Sequence, residues 1–234
     1  MVSKNKDKIP IGGPPEKLES DLAQTKNLLE IFYDISTLLA IGPSLNDVLK
    51  EMFVRMSKRI DIAGLSIWLA NKEKNIFDLS ASYNLPEPFV ALQKTGLKID
   101  EGAPGIVFKT KKPYFMKEPF SDPYAPQRFL DLIKKINFKI ESLFALPLVA
   151  QGEILGVFNV FLAERRDSVS RVEYILFYSI ANQIASFIQN SRHVQELQEK
   201  MQEMEEFQRL FVGRELKMVE LKEEIAKLKK TDNA

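Results

Sequence analysis

The chain holds one histidine, His193, and no cysteine in 234 residues. The lack of cysteine removes thiolate nucleophiles, disulfides and thiolate metal sites together. A catalytic zinc would have to rest on carboxylates, which is not how such sites are built. Carboxylates are plentiful, for example Glu203, Glu205 and Glu206, but these fall in a charged helical run that reads as a solvated face. His193 stands in the same run and reads as a solvated helix residue. No Gly-rich phosphate loop and no Ser elbow occurs. The pattern supplies no active site, so the chain is expected not to be an enzyme and to use neither a metal nor a cofactor.

Charge narrows the partners further. Lys plus Arg is 33 and Asp plus Glu is 32, a net charge of +1 that gives no bulk attraction to nucleic acid or an anionic membrane. No apolar run approaches the ~20 residues of a membrane span. Residues 1–17 are polar, Lys-rich and broken by Pro10, Pro14 and Pro15, without the apolar core of a signal peptide. They read as a disordered tail on a cytoplasmic protein.

The apolar pattern sets out the elements. Leu18, Leu22, Leu28, Leu29, Phe32, Ile35, Leu38 and Leu39 predict an amphipathic helix over about 16–40. Gly42-Pro43 stops it, and Ser44 is a good N-cap for a second helix over about 45–60. Residues 65–70 and 76–83 read as a hairpin of two strands around a polar turn. Pro86 and Pro88 start a short helical turn, 97–99 a short strand, Gly102 to Lys109 another helical turn, and 113–116 an extended piece. A helix is expected over about 127–135, then strands over 143–150 and 154–163 joined by Gln151-Gly152-Glu153. Asp167-Ser168 is expected to cap a long helix over about 170–230. Helices at both ends of antiparallel strands argue for an α+β fold, with the terminal helices on one sheet face and the segment around 103–139 on the other. Pro147 belongs on an edge or at a bulge, and Gly156 inside a strand implies close approach of another backbone.

Three segments taken together carry a resemblance. They are Ala63-Gly64-Leu65-Ser66-Ile67-Trp68-Leu69 with Ser82-Tyr83-Asn84-Leu85-Pro86, then Glu101-Gly102-Ala103-Pro104-Gly105-Ile106-Val107 with Thr110 and Lys112-Pro113-Tyr114, then Ser142-Leu143-Phe144-Ala145-Leu146-Pro147-Leu148 with Gly152-Glu153-Ile154-Leu155-Gly156-Val157. In this order and spacing they resemble the GAF domain family, the small-molecule-binding modules of signalling proteins, over about 28–191. The resemblance implies a GAF-like antiparallel sheet flanked by N- and C-terminal helices. Relatives that hold a bilin or reduce free methionine sulfoxide use Cys, and haem-binding relatives use His; this chain lacks the first and has only His193, beyond the domain. Nor does His193 stand in the context of a sensor-kinase phosphoacceptor. Asn71-Lys72 and Phe77-Asp78 look like a cyclic-nucleotide signature, but the spacing is wrong and a hairpin turn explains them.

The resemblance places any pocket between the sheet and the 103–139 segment, with Ser82, Tyr83, Ala103, Pro104, Tyr124, Phe129, Lys134, Phe138 and Lys139 as candidate ligand-binding residues. Lys134 and Lys139 hint at an anion, and surface lysine explains them equally. A small-molecule chamber requires an enclosed cavity above ~300 Å³. The alternative is that Phe115, Phe120, Phe129, Phe138 and Phe144 fill the space as core.

Along the last helix, Leu176, Ile180, Gln183, Phe187, Asn190, Val194, Leu197, Met201 and Met204 step by four and three, a heptad seam. The next apolar positions run from Phe207 and Phe211 to Leu228, after a second consecutive step of three, which is a phase change of the stammer kind. The segment from Gln208 to Lys217 resembles linkers of bacterial sensor kinases. The expected organisation is therefore a tail at 1–17, a GAF-like sensor domain at 18–191, a coiled coil at 192–230 and a disordered end at 231–234. Two functions follow. One is a sensor that binds a small molecule or protein and signals as a homodimer, through the 170–230 helix, to a kinase or other output partner. The other is an adaptor with a filled domain whose coil recruits partners.

Overall fold

The structure, a computed structural model, describes residues 26, 29–30, 32–38, 44–58 and 60–231. The tail expected at 1–17, most of the first helix and residues 232–234 lie outside them; the described part of the first helix is helical. The remaining elements are α1 (Leu45–Met56), β1 (Ile62–Asn71), β2 (Ile76–Tyr83), α2 (Glu87–Gln93), β3 (Leu97–Lys98), α3 (Gly102–Thr110), β4 (Tyr114–Met116), a 3-10 turn (Pro119–Ser121), α4 (Gln127–Lys135), β5 (Ser142–Ala150), β6 (Glu153–Leu162) and α5 (Arg171–Thr231). The chain divides into two units, Met1–Phe187 and Ile188–Ala234.

The strands form one sheet in the order β3-β2-β1-β6-β5-β4, every neighbouring pair antiparallel. This is the α+β architecture the pattern implied. β1 begins three residues earlier than its apolar run suggested, because Ile62 and Gly64, the latter a poor strand former by propensity, pair with Leu162 and Phe161 of β6, with a register shift at Ala63 between them. Gln151 and Gly152 close the β5–β6 hairpin with φ of 50° and 80°, the left-handed pair that matches strand twist. Pro147 lies past the last β4 partner of β5, Ala145, and beside a register shift at Leu148/Val149, as a residue without an N–H requires. Gly156 packs against β1 so closely that an added Cβ would lie 1.9 Å from the Trp68 carbonyl oxygen.

One sheet face carries α1 and the first turns of α5. Phe144 meets Phe177 at 5.9 Å and Tyr174 at 6.1 Å, while Phe53 of α1 meets Tyr83 at 5.4 Å. The other face carries Trp68, Phe77, Leu143, Ala145, Val157 and Phe161, covered by α2, α3 and α4. A bulge between Ile67 and Trp68 leaves Ser80 unpaired and shifts the phase of β2.

The cap of α5 is a correction. Ser170, and not Asp167-Ser168, forms it: Glu173 N–H donates to Ser170 Oγ at 3.2 Å and Ser170 N–H donates to Glu173 Oε2 at 3.0 Å, a capping box. The Ser-x-x-Glu spacing selects it, because Glu173 stands three residues on and can return the bond, whereas Arg171 stands at that offset from Ser168. Glu173 also accepts from Arg166 Nη1 at 2.6 Å. Burial pushes the Glu173 carboxyl up, but the bonds from Arg166 and Ser170 outweigh it and hold it below the usual carboxylate range. Glu173→Gln is expected to cost about 1–3 kcal/mol at neutral pH. The carboxylate's contribution is complete above its unfolded pKa and is lost as pH falls through the lowered folded one. The gap between variant and wild type should therefore narrow in acid, measured by urea unfolding across pH; a constant gap would refute it.

Leu176 and Ile180, at the start of the heptad seam, are buried in the domain's own core. Further along, Val194, Leu197, Met201, Met204, Phe207 and Phe211 are each more than half exposed. The helix continues unbroken through the phase change at Phe207 to Gly213. Among the described residues no helix is long and apolar enough to cross a membrane.

Candidate functional site

A cavity of about 70 Å³ lies between the sheet and the helices that cover it. Its floor comes from Trp68 of β1, Leu143 of β5, and Asn159 and Phe161 of β6. Its cover comes from Phe89 and Gln93 of α2, Ala103 and Pro104 of α3, and Phe129 and Ile133 of α4. The rings pack around Phe89, which meets Phe129 at 5.6 Å and Phe161 at 5.7 Å. Gly102 takes φ +69° to start α3, and an added Cβ on Gly105 would fall 2.4 Å from the Asp100 backbone, so the chain here lies tight against itself.

Two polar side chains break this apolar lining. Gln93 and Asn159 are 1% and 3% exposed, and Gln93 Oε1 and Asn159 Oδ1 have no hydrogen-bond partner among the described residues. Leaving a buried acceptor unpaired costs about 1–3 kcal/mol. The neighbouring Ser66 hydroxyl, across the ladder from Asn159, accepts from Trp68 Nε1 at 3.1 Å.

Side-chain bonds tie the cover down. Arg128 of α4 donates from Nη2 to the Gly96 carbonyl at 3.1 Å and to Glu101 Oε2 at 3.0 Å. Tyr114 donates to Asp122 Oδ2 at 2.7 Å, and Asp122 also accepts from the Tyr124 N–H at 2.9 Å. Burial, together with the Asp122 carboxylate, pushes the Tyr114 phenol well above its usual pKa. Among the described residues no group of three or more His, Cys, Asp or Glu could hold a metal.

The sequence from 43 to 189 matches the GAF domain family. The chain belongs to that family. Solved structures similar to it include the GAF domain of a phosphoenolpyruvate-protein phosphotransferase from Coxiella burnetii, with 21% identity, a TM-score of 0.63, and coverage of 74% of this chain and 98% of that one. The free methionine-R-sulfoxide reductase of Neisseria meningitidis, solved with its substrate, is similar at 10% identity and a TM-score of 0.58 over 80% of this chain and 99% of that one. The nlh2 GAF domain of A. aeolicus in an inactive state is similar at 18% identity and a TM-score of 0.54 over 70% of this chain and 97% of that one. At such identities the likeness is one of fold. No curated protein matches the sequence.

Within this GAF domain the cavity lies where the resemblance implied, but at about 70 Å³ it falls well short of the ~300 Å³ expected of a small-molecule chamber. Of the nine candidate residues, Ala103, Pro104 and Phe129 line it. Phe138 packs behind them, its ring 5.6 Å from that of Phe89. Tyr83 is turned to the opposite sheet face, against Phe53. Ser82 does not line the cavity, and its N–H donates to Asn46 Oδ1 at 3.1 Å. Tyr124 is 56% exposed and lies edge-on to Tyr114. Lys134 places Nζ 5.2 Å over the Phe120 ring, Lys139 is exposed, and neither lines the cavity. Phe115 and Phe144 belong to the α5 face, where their rings meet each other and Phe144 meets Phe177.

Gln93 and Asn159 were not among the candidates. Asn159 could have been found, since an Asn inside Val157-Phe158-Asn159-Val160-Phe161 is a polar break in a buried strand. Gln93 gave no such signal, because Gln93-Lys94 reads as the polar end of a short helix.

Proposed function

We propose that this GAF domain is a non-catalytic, cytoplasmic sensor module. A compact molecule occupies the cavity, and occupancy is passed along α5 to a kinase or other signalling output, with two copies paired through that helix. The observation that supports this reading is the pair of unpartnered acceptors, Gln93 Oε1 and Asn159 Oδ1, in an apolar cavity. A few convergent polar groups in an apolar lining are what ligand sites present. A core built only for packing gains nothing from them. The exposed apolar stripe from Val194 to Phe211 supports pairing, because a stripe of that length in water lacks the burial that holds long helices.

The cavity's small volume favours a second reading, an adaptor with a filled domain and a recruiting coil. A thermal-shift screen against metabolites and cyclic nucleotides separates the two. Bound ligand stabilises by RT ln(1 + [L]/Kd), about 2.7 kcal/mol at a hundredfold excess over Kd. In a domain of this size that is roughly 5–10 °C of Tm. A saturable shift is expected; silence across the screen would support the adaptor.

A further inference from the structure

The sensor reading leaves the ligand's chemistry open, and the following rests on that reading. Every side chain that lines the cavity is uncharged. Three charges of α4 are engaged elsewhere, Arg128 with Glu101 and Gly96, Asp131 with Gln127, and Lys134 over the Phe120 ring, and Lys135 is exposed and does not line the cavity. An ionic ligand would shed its water with no counter-charge to meet it, and burial opposes that. A purely apolar ligand would leave Gln93 Oε1 and Asn159 Oδ1 as they stand, buried and unpaired.

A carboxamide carries a donor beside an acceptor. Its complement is the N–H and C=O edge of a cyclic amide, a two-point match of the kind by which Asn and Gln read a base edge. The rings of Trp68, Phe89, Phe129 and Phe161 offer faces and edges to a flat molecule. Size sets the upper limit. The cavity is about half the ~150 Å³ that takes benzene, so nothing beyond a single small ring can enter, and the cover must yield to admit it.

We propose that the cavity takes an uncharged, planar cyclic amide of a single ring, held between Gln93 on the cover and Asn159 on the sheet. Pyrimidine bases and small lactams are of this class. Such a ligand would join α2 to β6 through its own edge, which makes occupancy felt on both sides of the cavity.

The test titrates the full chain with three probes: uracil, orotate (the same ring bearing a carboxylate) and toluene. Calorimetry reads affinity, and NMR reads the side-chain NH₂ signals of Gln93 and Asn159. Uracil is expected to bind saturably and to shift both signals, while Gln93→Met and Asn159→Leu each weaken it at least tenfold. The NMR arm needs no variant, so a misfolded mutant does not stall the test. Tighter binding of orotate or toluene than of uracil would overturn the ligand class and leave the sensor reading standing. Uracil binding that ignores both substitutions, or no uracil binding at all, would also overturn the class. The metabolite screen decides separately whether the sensor reading stands.

Discussion

Gly156→Ala is expected to be the most damaging single-atom change in the domain, costing more than about 4 kcal/mol and lowering Tm by more than about 10 °C. An added Cβ would lie 1.9 Å from the Trp68 carbonyl oxygen and 3.0 Å from the Leu69 Cα. Both atoms are backbone, in the ladder between β1 and β6, so neither can swing aside as a side chain could. Relief requires the two central strands to part, and that sacrifices ladder bonds and uncovers Trp68 and Val157, 2% and 0% exposed. Gly152→Ala makes the control. Among the described residues nothing lies within 4 Å of its added Cβ, but its φ is +80°. That substitution carries only the left-handed backbone penalty, about 1–2 kcal/mol. Thermal and urea unfolding of both variants would decide it. A Gly156→Ala protein melting within a few degrees of wild type would show that the strands can separate more cheaply than the geometry implies.

The second large effect concerns the exposed stripe of α5. The native chain is expected to be a dimer at tens of micromolar, and Leu197→Glu with Met201→Glu to be a monomer there. Leu197 and Met201 are 62% and 63% exposed in the single chain. Burying each against a second copy is worth roughly 1.5–3 kcal/mol. Two such residues from each of two chains come to about 6–12 kcal/mol, against about 8 kcal/mol for a micromolar dimer. Four added carboxylates also repel across the seam. Sedimentation or light scattering reads the mass. Tm of the domain should stay nearly constant in the variant, since neither residue is in its core. A wild-type monomer at tens of micromolar would end the pairing proposal.

Much of the fold was legible because its signals are local. Strand β2 and helix α4 carry unambiguous alternation and amphipathic spacing, and the structure ends them where those patterns end. The Gln151-Gly152-Glu153 turn announces its hairpin in the same way, and the structure shortens it to Gln151-Gly152 with Glu153 already in β6. The site was less legible because it depends on phase. Strict alternation from Phe77 and Leu79 places Tyr83 toward the cavity. The bulge at Ser80 inserts one unpaired residue, and a slip of one residue turns a side chain to the other face. Tyr83 therefore meets Phe53. No composition rule marks that bulge in advance. Leu176 and Ile180 teach a related lesson. Their spacing continues the coil seam without a break, yet the domain core claims them, because one apolar period suits a sheet as well as a second helix.

The position of Gly156 also bears on how the chain comes together. The β1–β2 and β5–β6 hairpins each close over a short turn, so their contacts form between near neighbours. The ladder between β1 and β6 is different: Leu65 faces Val160, 95 residues away (160 minus 65). The entropy of closing a loop grows with its length, and distant pairings slow folding. In this fold the heaviest share of that burden falls on one ladder, the one that joins two ready-made hairpins. Gly156 stands on it, where an added Cβ would strike the β1 backbone, so the residue without a side chain sits on the longest-range closure in the sheet.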